Sequence, residues 1–483
     1  MDQGAVGSEE SKLECMKVDK LRQSADTNEV ISNYDEEKSA LEKRISRYCR
    51  KVDVRILSYA IVLCMFNQSD RSAIGVAKVV GLESDLGMTK NDFNIAASLF
   101  TVGYLVLEVF SNFVLKRVGA SKLLPTLGVL WGCLYVMRVL LGMTECGFTA
   151  GVLLTLSFFY PKSRLTGRVA FFYVSAPLAN ALSGPLASGL SQIHHATIKR
   201  WQWVFILEGV LTIVVALFGY YILQDHPEKC TFLNDDDKEF IVAYKKGEGS
   251  LGGSQKLSFA DTKRALLDWQ LWVMTFATFS AWVSCGSISV FAPQLINELG
   301  FTSTQSQAMS ALPSIFGAIA MLLAGHMVKL CGHWLAGVLA LSIALLGTVM
   351  MIATLNVPAR IVGLCLAGTG AFFGVGVFPG WIITANSQSV AHSAVGSAVT
   401  VFMGSASSFV SSNIFLNKDA PRFVIGHSVN IGMLAMGIVA CVVTRLSMGR
   451  RNRILQARES QVDVGFDDNA IDIASRRQFR FVY

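Results

Sequence analysis

Trp334–Leu355 reads WLAGVLALSIALLGTVMMIATL, without one ionised side chain. Crossing a bilayer takes about 20 mostly apolar residues as a helix, because in lipid every backbone N–H and C=O must be satisfied inside its own segment. This stretch meets that requirement unaided. Working outward, comparable segments lie at roughly 55–76, 93–115, 123–135, 136–159, 169–191, 202–223, 270–292, 309–328, 360–385, 394–415 and 425–446. With 334–355 they make twelve candidate spans in two sets of six. The chain is 52% hydrophobic and 16% charged, where soluble domains carry about a quarter charged residues. The expected fold is an all-α polytopic membrane protein.

The remaining charge is ordered. Net charge is +7, but Lys and Arg collect in the tails and between apolar segments, as orientation charge does, and not as a nucleic-acid face. Residues 1–36 are Ser-rich and mixed in charge and are expected to be disordered. Residues 37–54 are expected to form a juxtamembrane helix, with Leu41, Ile45 and Tyr48 on one face. Its Lys43, Arg44, Arg47, Arg50 and Lys51 mark the cytoplasmic side. An even number of spans per half then puts both tails and the polar connection 224–269 on that side. The expected organisation is a tail 1–54, a first half 55–223, the connection 224–269, a second half 270–446 and a tail 447–483. No cleavable signal precedes the first span, so that span is expected to direct insertion. Ten scattered cysteines without a CxxC pair read as small packing residues, not as disulfides or a metal site.

Two features concern the halves themselves. Asn112-x3-Lys116-x2-Gly119 after the second span is echoed by Gly325-x3-Lys329-x2-Gly332 after the eighth, which points to a duplicated six-helix unit. The third span is anomalous. Leu123 to Pro161 is 161 − 123 + 1 = 39 residues. As one helix it would measure about 58 Å, nearly twice the hydrocarbon core. Lys122 and Lys162 both look cytoplasmic, so an even number of crossings must fit between them, and the third helix is expected to be shortened.

Ionised groups inside spans are costly and mark function by default. Asp70 and Arg71 adjoin in the first span, one turn after Asn67. Glu108 lies one turn after Tyr104 in the second. Arg138 and Glu145 in the fourth are seven residues apart, which puts them on one helix face about 10 Å apart. Gly142 lies between them and leaves room for a helix or a ligand. Glu208 is in the sixth span, near Trp201 and Trp203. Each group has an alternative reading as a structural ion pair or, for Glu108 and Glu208, as a snorkelling or capping residue. Trp201 and Trp203 read as interfacial anchors. Burial disfavours an ionised carboxylate, so such a group can bind a proton near neutral pH, while a neighbouring Arg pairs with it or with a substrate carboxylate. Away from their ends, the spans of the second half carry no ionised group. They offer Ser280, Ser284, Ser287, Trp282, Trp381, Asn386 and Asn413 for shape and hydrogen bonding. Gly370-x3-Gly374 and Gly376-x3-Gly380 in the tenth span read as close helix packing.

These residues resemble the anion:cation symporter family of major facilitators, especially its fungal allantoate and nicotinate permease branch. The resemblance rests on Asn67-Gln-Ser-Asp-Arg-Ser-Ala-Ile-Gly75, Gly103-Tyr-Leu-Val-Leu-Glu108 with Ser111-Asn112, and Leu115-Lys-Arg-Val-Gly119. It rests further on Arg138-x3-Gly142-x2-Glu145-x-Gly147-Phe148, Phe205-Ile-Leu-Glu-Gly209 and Asp419-Ala-Pro-Arg422 before Gly426-His427-Ser428. It runs from about residue 50 to 446. It implies a major facilitator fold of two six-helix halves and proton-coupled symport of a small organic anion, such as a vitamin acid or a ureide, by alternating access. Asp70 and Glu145 resemble the proton-handling carboxylates and Arg71 the coupling arginine. Arg138 resembles the arginine that meets the substrate anion, with Tyr104, Glu108, Trp381 and Asn386 as further substrate contacts. Lys116, Arg117 and Gly119 resemble the gating turn. The proton gradient is the expected driving force, with no cofactor and no metal. The expected setting is multi-pass in the plasma membrane, as a monomer, with both termini cytoplasmic.

The sequence departs from the branch in three places. Segment 123–137 lacks about 15 residues of a span of about 20 and its turn. Gln202 stands where Arg is usual, and Ala391-His392-Ser393 where basic residues are usual. Two other readings stay open. Gly184-Pro185 resembles a fragment of the bend in major facilitator antiporters and favours an exporter of a fungal metabolite. The short third span favours a sensor or an inactive relative. No His box, metal cluster or nucleophile constellation supports a membrane enzyme.

Overall fold

The computed structural model describes residues 27–88, 92–93, 95–96, 98–105, 118–133, 138–190, 198–247, 259–385, 390–416, 419–420 and 422–462. Among them the chain is helical, without strands. It divides into two units, Met1–Arg55 and Ile56–Tyr483.

In the first unit α1 covers Thr27–Val52, and a π-helical turn spans Asp53–Leu57 at the unit boundary. The helix expected over 37–54 therefore starts ten residues early, within the region expected to be disordered. Glu29, Asp35, Glu36 and Glu37 lie toward its N-terminus, and Arg50 and Lys51 close its last turn. That charge order complements the helix dipole.

In the second unit the first crossing is α2, Ser58–Val79. Helical residues 98–105 belong to the next. Then come α3 Ala120–Cys133, α4 Arg138–Phe159, α5 Lys162–Tyr173, α6 Ser175–Leu190 and α7 Arg200–Ile222. Helices α8 (Asp235–Gly247) and α9 (Phe259–Leu267) lie in the connection. The second half holds α10 Trp269–Asn297, α11 Ser303–Met309, α12 Ala311–Ala353, α13 Val357–Ala385, α14 Val390–Asn413 and α15 Val424–Val462. Among the described residues, eight helical stretches are long and apolar enough to cross a membrane. One of them, Ser303–Ala353, contains a break at Gly332 and is long enough for two crossings. Helix α2 is outside the eight because the polar run Asn67–Ser72 lowers its hydropathy.

The repeat seen in the sequence has a structural counterpart. Gly119 has φ +88° and Gly332 φ +78°, values in the left-handed region that a side chain disfavours. Both halves make the same sharp turn at the same place. At Gly119 the turn is held from another helix: Asp225, just past α7, accepts hydrogen bonds from Ser121 N (2.8 Å) and Ser121 Oγ (2.9 Å). A carboxylate at the N-terminus of α3 satisfies a free N–H and complements the dipole. A Cβ on Gly119 would lie 2.6 Å from Asp225 Oδ1. Asp225→Ala is expected to cost about 1–2 kcal/mol. Thermal unfolding in detergent checks this, and an unchanged melting temperature would count against the cap.

The third helix is short, as expected: its described part, Ala120–Cys133, is 14 residues, roughly 21 Å. It is nevertheless packed. Gly128 lets it lie against Ala216 of α7, and Trp131 meets Phe148 of α4 edge-on at 5.2 Å. The connection is docked as well: Lys245 of α8 donates to the carbonyls of Ser157 and Phe158, both at 2.7 Å, which caps the C-terminus of α4. In the tenth span Gly370 lets α13 press against Ala340 and Ala344 of α12, the close packing expected there. The seven cysteines whose side chains are described form no disulfide with one another. Burial in the connection pushes the Cys230 thiol up to about 12, so it stays protonated and inert at neutral pH.

Candidate functional site

The site begins with six consecutive polar residues in the middle of α2, Asn67 to Ser72. Successive side chains on a helix turn by about 100°, so such a run points in every direction at once. Each direction has a use. Ser69 donates to Glu208 Oε1 on α7 at 2.8 Å. Arg71 Nε donates to Glu145 Oε2 on α4 at 3.2 Å. Ser72 Oγ lies 3.3 Å from Ser183 Oγ on α6. Gln68 faces a cavity. Asp70 is fully buried. One turn and a half of helix thus ties α4, α6 and α7 together.

Arg71 is the centre of this arrangement. Its guanidinium lies over the rings of Phe100 (5.3 Å) and Tyr104 (4.8 Å), which are one helical turn apart. Aromatic faces stabilise a cation without discharging it. Its other neighbour, Glu145, has no exposed side-chain surface, while Arg71 keeps 23%. Gly142 makes this possible. A Cβ there would collide with the carbonyl of Phe100, so the glycine lets α4 approach the second crossing until Glu145 reaches Arg71. The room that Gly142 leaves is filled by a helix, not a ligand.

Arg71 also forms part of the wall of a cavity between the halves, with about 90 Å³ open to water-sized molecules. The first half contributes Gln68, Phe100, Thr101 and Asn180 as well, and the second contributes Trp282, Ser289 and hydroxyls at Ser407, Ser408, Ser411 and Ser412. The cavity is cationic on one side and neutral but hydrogen-bonding on the other.

At the end of the bundle away from the connection, the halves are closed. Gly75 of α2 lies against the Val290 carbonyl of α10, and Gly184 of α6 against the Gln307 carbonyl of α11. Asn413 Nδ2 donates to Ser98 Oγ at 2.6 Å, and Asn180 Nδ2 to Ser289 Oγ at 2.8 Å. Lys78 lies over Phe93 (4.3 Å) and Phe291 (5.6 Å), and Phe291 meets Phe415 at 5.2 Å.

Other residues singled out from the sequence fall elsewhere. Trp381 is packed in the apolar core of the second half, stacked on Phe378 at 6.3 Å. Glu208 is buried and bonded to Ser69, a reading between helices and not at a membrane face. Trp201 donates to Asp85 Oδ2 at 3.1 Å. Glu108, Lys116, Arg117 and Asn386 lie outside the described residues, as does the side chain of Arg138, whose backbone opens α4. Sequence reasoning missed Thr101, Asn180 and the serines of α14. Small polar residues are common in membrane helices as packing elements, and nothing in their spacing sets these apart.

The Major Facilitator Superfamily model matches residues 60–412, which takes in both halves and the cavity between them. The chain belongs to this superfamily. An MFS-type transporter, efuF, of Hormonema carpetanum is 30% identical over 414 residues, covering 81% of this chain and 82% of its own. The high-affinity nicotinic acid transporter of Saccharomyces cerevisiae is 24% identical, covering 92% of this chain and 85% of its own. Among solved structures, the inward-open xylose transporter XylE of E. coli superimposes with a TM-score of 0.62 at 12% identity, over 80% of this chain and 95% of that one. That likeness is one of fold. A superfamily of transporters is a non-enzyme class, and this major facilitator is a multi-pass membrane protein that carries small molecules.

Proposed function

We propose that this facilitator couples the movement of a small organic anion to the movement of a proton. The observation that carries the reading is the Arg71–Glu145 pair in the wall of the cavity between the halves. Arg71 is the partner that reaches the cavity, so it is the group an entering carboxylate meets. A guanidinium binds carboxylates in a fork, and it cannot be deprotonated in a protein. As the anion takes over Arg71, that cation's hold on the fully buried Glu145 weakens. A buried charge that loses part of its compensation is unfavourable, and binding a proton removes it. The empty site holds one positive and one negative charge. The loaded site holds Arg71, the anion and a neutral Glu145. Its net charge is the same, and one proton travels per monovalent anion.

The relative that transports nicotinic acid supports an organic anion as cargo. Asp70, one residue from Arg71 and buried, is the second proton-handling carboxylate in this reading. Arg138 remains the proposed second cation for the anion, and Lys116, Arg117 and Gly119 the gating turn. The Lys and Arg residues at 116–122, 162–168 and 445–453 support cytoplasmic termini, and the plasma membrane is the proposed setting. The short α3 favours a second reading, a chain that binds its ligand without moving it.

Cytosolic pH in expressing cells at external pH about 5 separates the two, since an uncoupled or immobile carrier moves no protons. Addition of a transported carboxylate is expected to acidify the cytosol, at a rate insensitive to membrane potential. Silence toward every carboxylate would overturn symport.

A further inference from the structure

Two cations stand on one face of α2. Lys78 follows Arg71 by seven residues, two helical turns or about 10 Å. Each lies over rings of the second crossing, and the rings keep the same spacing: Arg71 over Phe100, and Lys78 over Phe93 at 4.3 Å. Between the two cations Ile74 lines the cavity, and Gly75 meets the Val290 carbonyl at the closed end. Arg71 is therefore inside the seal and Lys78 just beyond it, on the outer side in the orientation proposed above. A seal needs only apolar groups, and Phe93, Phe291 and Phe415 supply them, with Phe93 edge-on to Phe291 at 6.2 Å. An ammonium enclosed among them is an added cost. Nor does Lys78 snorkel, since its side chain keeps only 6% of its surface. Phe291 of α10 covers it from the second half at 5.6 Å. Glu83, just past α2, lies 3.5 Å from it and is 27% exposed.

Resting on the anion reading above, we infer that Lys78 is an outer binding site for the carboxylate of an entering organic anion, which then passes to Arg71. When the outer end opens, α10 withdraws with the second half and takes Phe291 with it, while Phe93 and Glu83 stay with the first half. The ammonium then faces the entrance, where a charge between apolar walls draws in counter-ions. Its pair with Glu83 is long and partly open to water, and pairs of that kind are weak, so one carboxylate replaces another at little cost. Lysine suits a transient stop. It is a point charge with rotatable donors, where the Arg71 fork fixes a carboxylate in one geometry. Closure returns Phe291 to the ammonium and sends the anion on to Arg71, two turns deeper.

The test uses the full-length protein and initial rates of uptake of labelled nicotinate, lactate and N-carbamoylglycine, into cells and into inside-out vesicles, which present the outer and the inner face. Lys78→Gln is expected to raise the KM at the outer face about fivefold or more. At the inner face the KM is expected to stay, because there the ammonium is shut away beneath Phe291. Glu83→Gln removes the competing carboxylate and is expected to lower the outer KM by about threefold. The opposite signs are the signature: an ion pair that serves only to hold the fold is broken by either substitution and shifts both variants the same way. Lys78→Arg restores the charge and is expected to recover most of the outer affinity, so the result does not hang on the folding of Lys78→Gln. Equal signs for Lys78→Gln and Glu83→Gln, or a change at the inner face as large as that at the outer, would overturn the inference. If Lys78→Gln leaves the outer KM alone while Arg71→Gln abolishes uptake, the anion reading stands and this inference falls. If wild type takes up none of the three acids, both fall.

Discussion

Glu145→Gln is expected to reduce proton-driven net uptake to the level of cells without the protein, while exchange of anion for anion continues. Gln keeps the size of Glu and can still accept a hydrogen bond from Arg71 Nε, which now lies 3.2 Å from the carboxylate. It has no proton to load or release. Net uptake requires the empty carrier to reset with Glu145 ionised and paired to Arg71. In the variant Arg71 has no counter-charge there, and the empty site carries an unneutralised cation. The anion-loaded site is neutral without any proton, so the loaded carrier still moves in both directions. Counterflow in cells preloaded with the anion measures exchange, and cytosolic pH measures net coupling. Net uptake at the wild-type rate would sink the role given to Glu145. Arg71→Gln makes the complementary case. Truncating one partner of a buried charge pair costs about 2–5 kcal/mol, so anion affinity is expected to fall by about 30-fold or more.

Gly184→Val is expected to hold the two halves apart at the end away from the connection. A Cβ at 184 presses on the Gln307 carbonyl and comes within 2.6 Å of Ser310 Oγ, and a Val adds two methyls beyond that. Overpacking of this kind costs about 1–3 kcal/mol. The cost falls on the closed arrangement alone, because α6 and α11 part when that end opens. Each 1.4 kcal/mol shifts the balance about tenfold, so the population moves toward the open form by about 5- to 150-fold. A cysteine at Ser98, in a background stripped of native cysteines, is expected to react faster with an impermeant maleimide, and uptake is expected to fall with expression intact. Unchanged labelling together with normal uptake would mean that Gly184 does not govern closure. The same contact gives Gly184-Pro185 a purpose independent of export.

Much of the site was legible because burying charge in a membrane is costly. Asp70, Arg71 and Glu145 stand out against apolar surroundings on that ground alone. Gly119 and Gly332 were legible as a repeated turn, and their shared left-handed backbone is its cause. Gly142 was legible as a gap on the Arg138–Glu145 face, though not what fills it. Asp225 was missed, since a carboxylate just past an apolar span looks like any boundary charge until Ser121 is seen beside it.

The sequence by itself determined that this chain crosses a membrane repeatedly, that it is a duplicated helical bundle, and where the expensive charges lie. Those facts follow from composition along one helix at a time. The tertiary structure decided that Arg71 meets Glu145 while also reaching the cavity, that Glu208 answers Ser69, and that the cavity's second wall is neutral. These depend on how far each helix is rotated and how closely it approaches its neighbours. Small residues such as Gly75, Gly142 and Gly184 set those approaches, and no pattern within a single span records which backbone lies opposite.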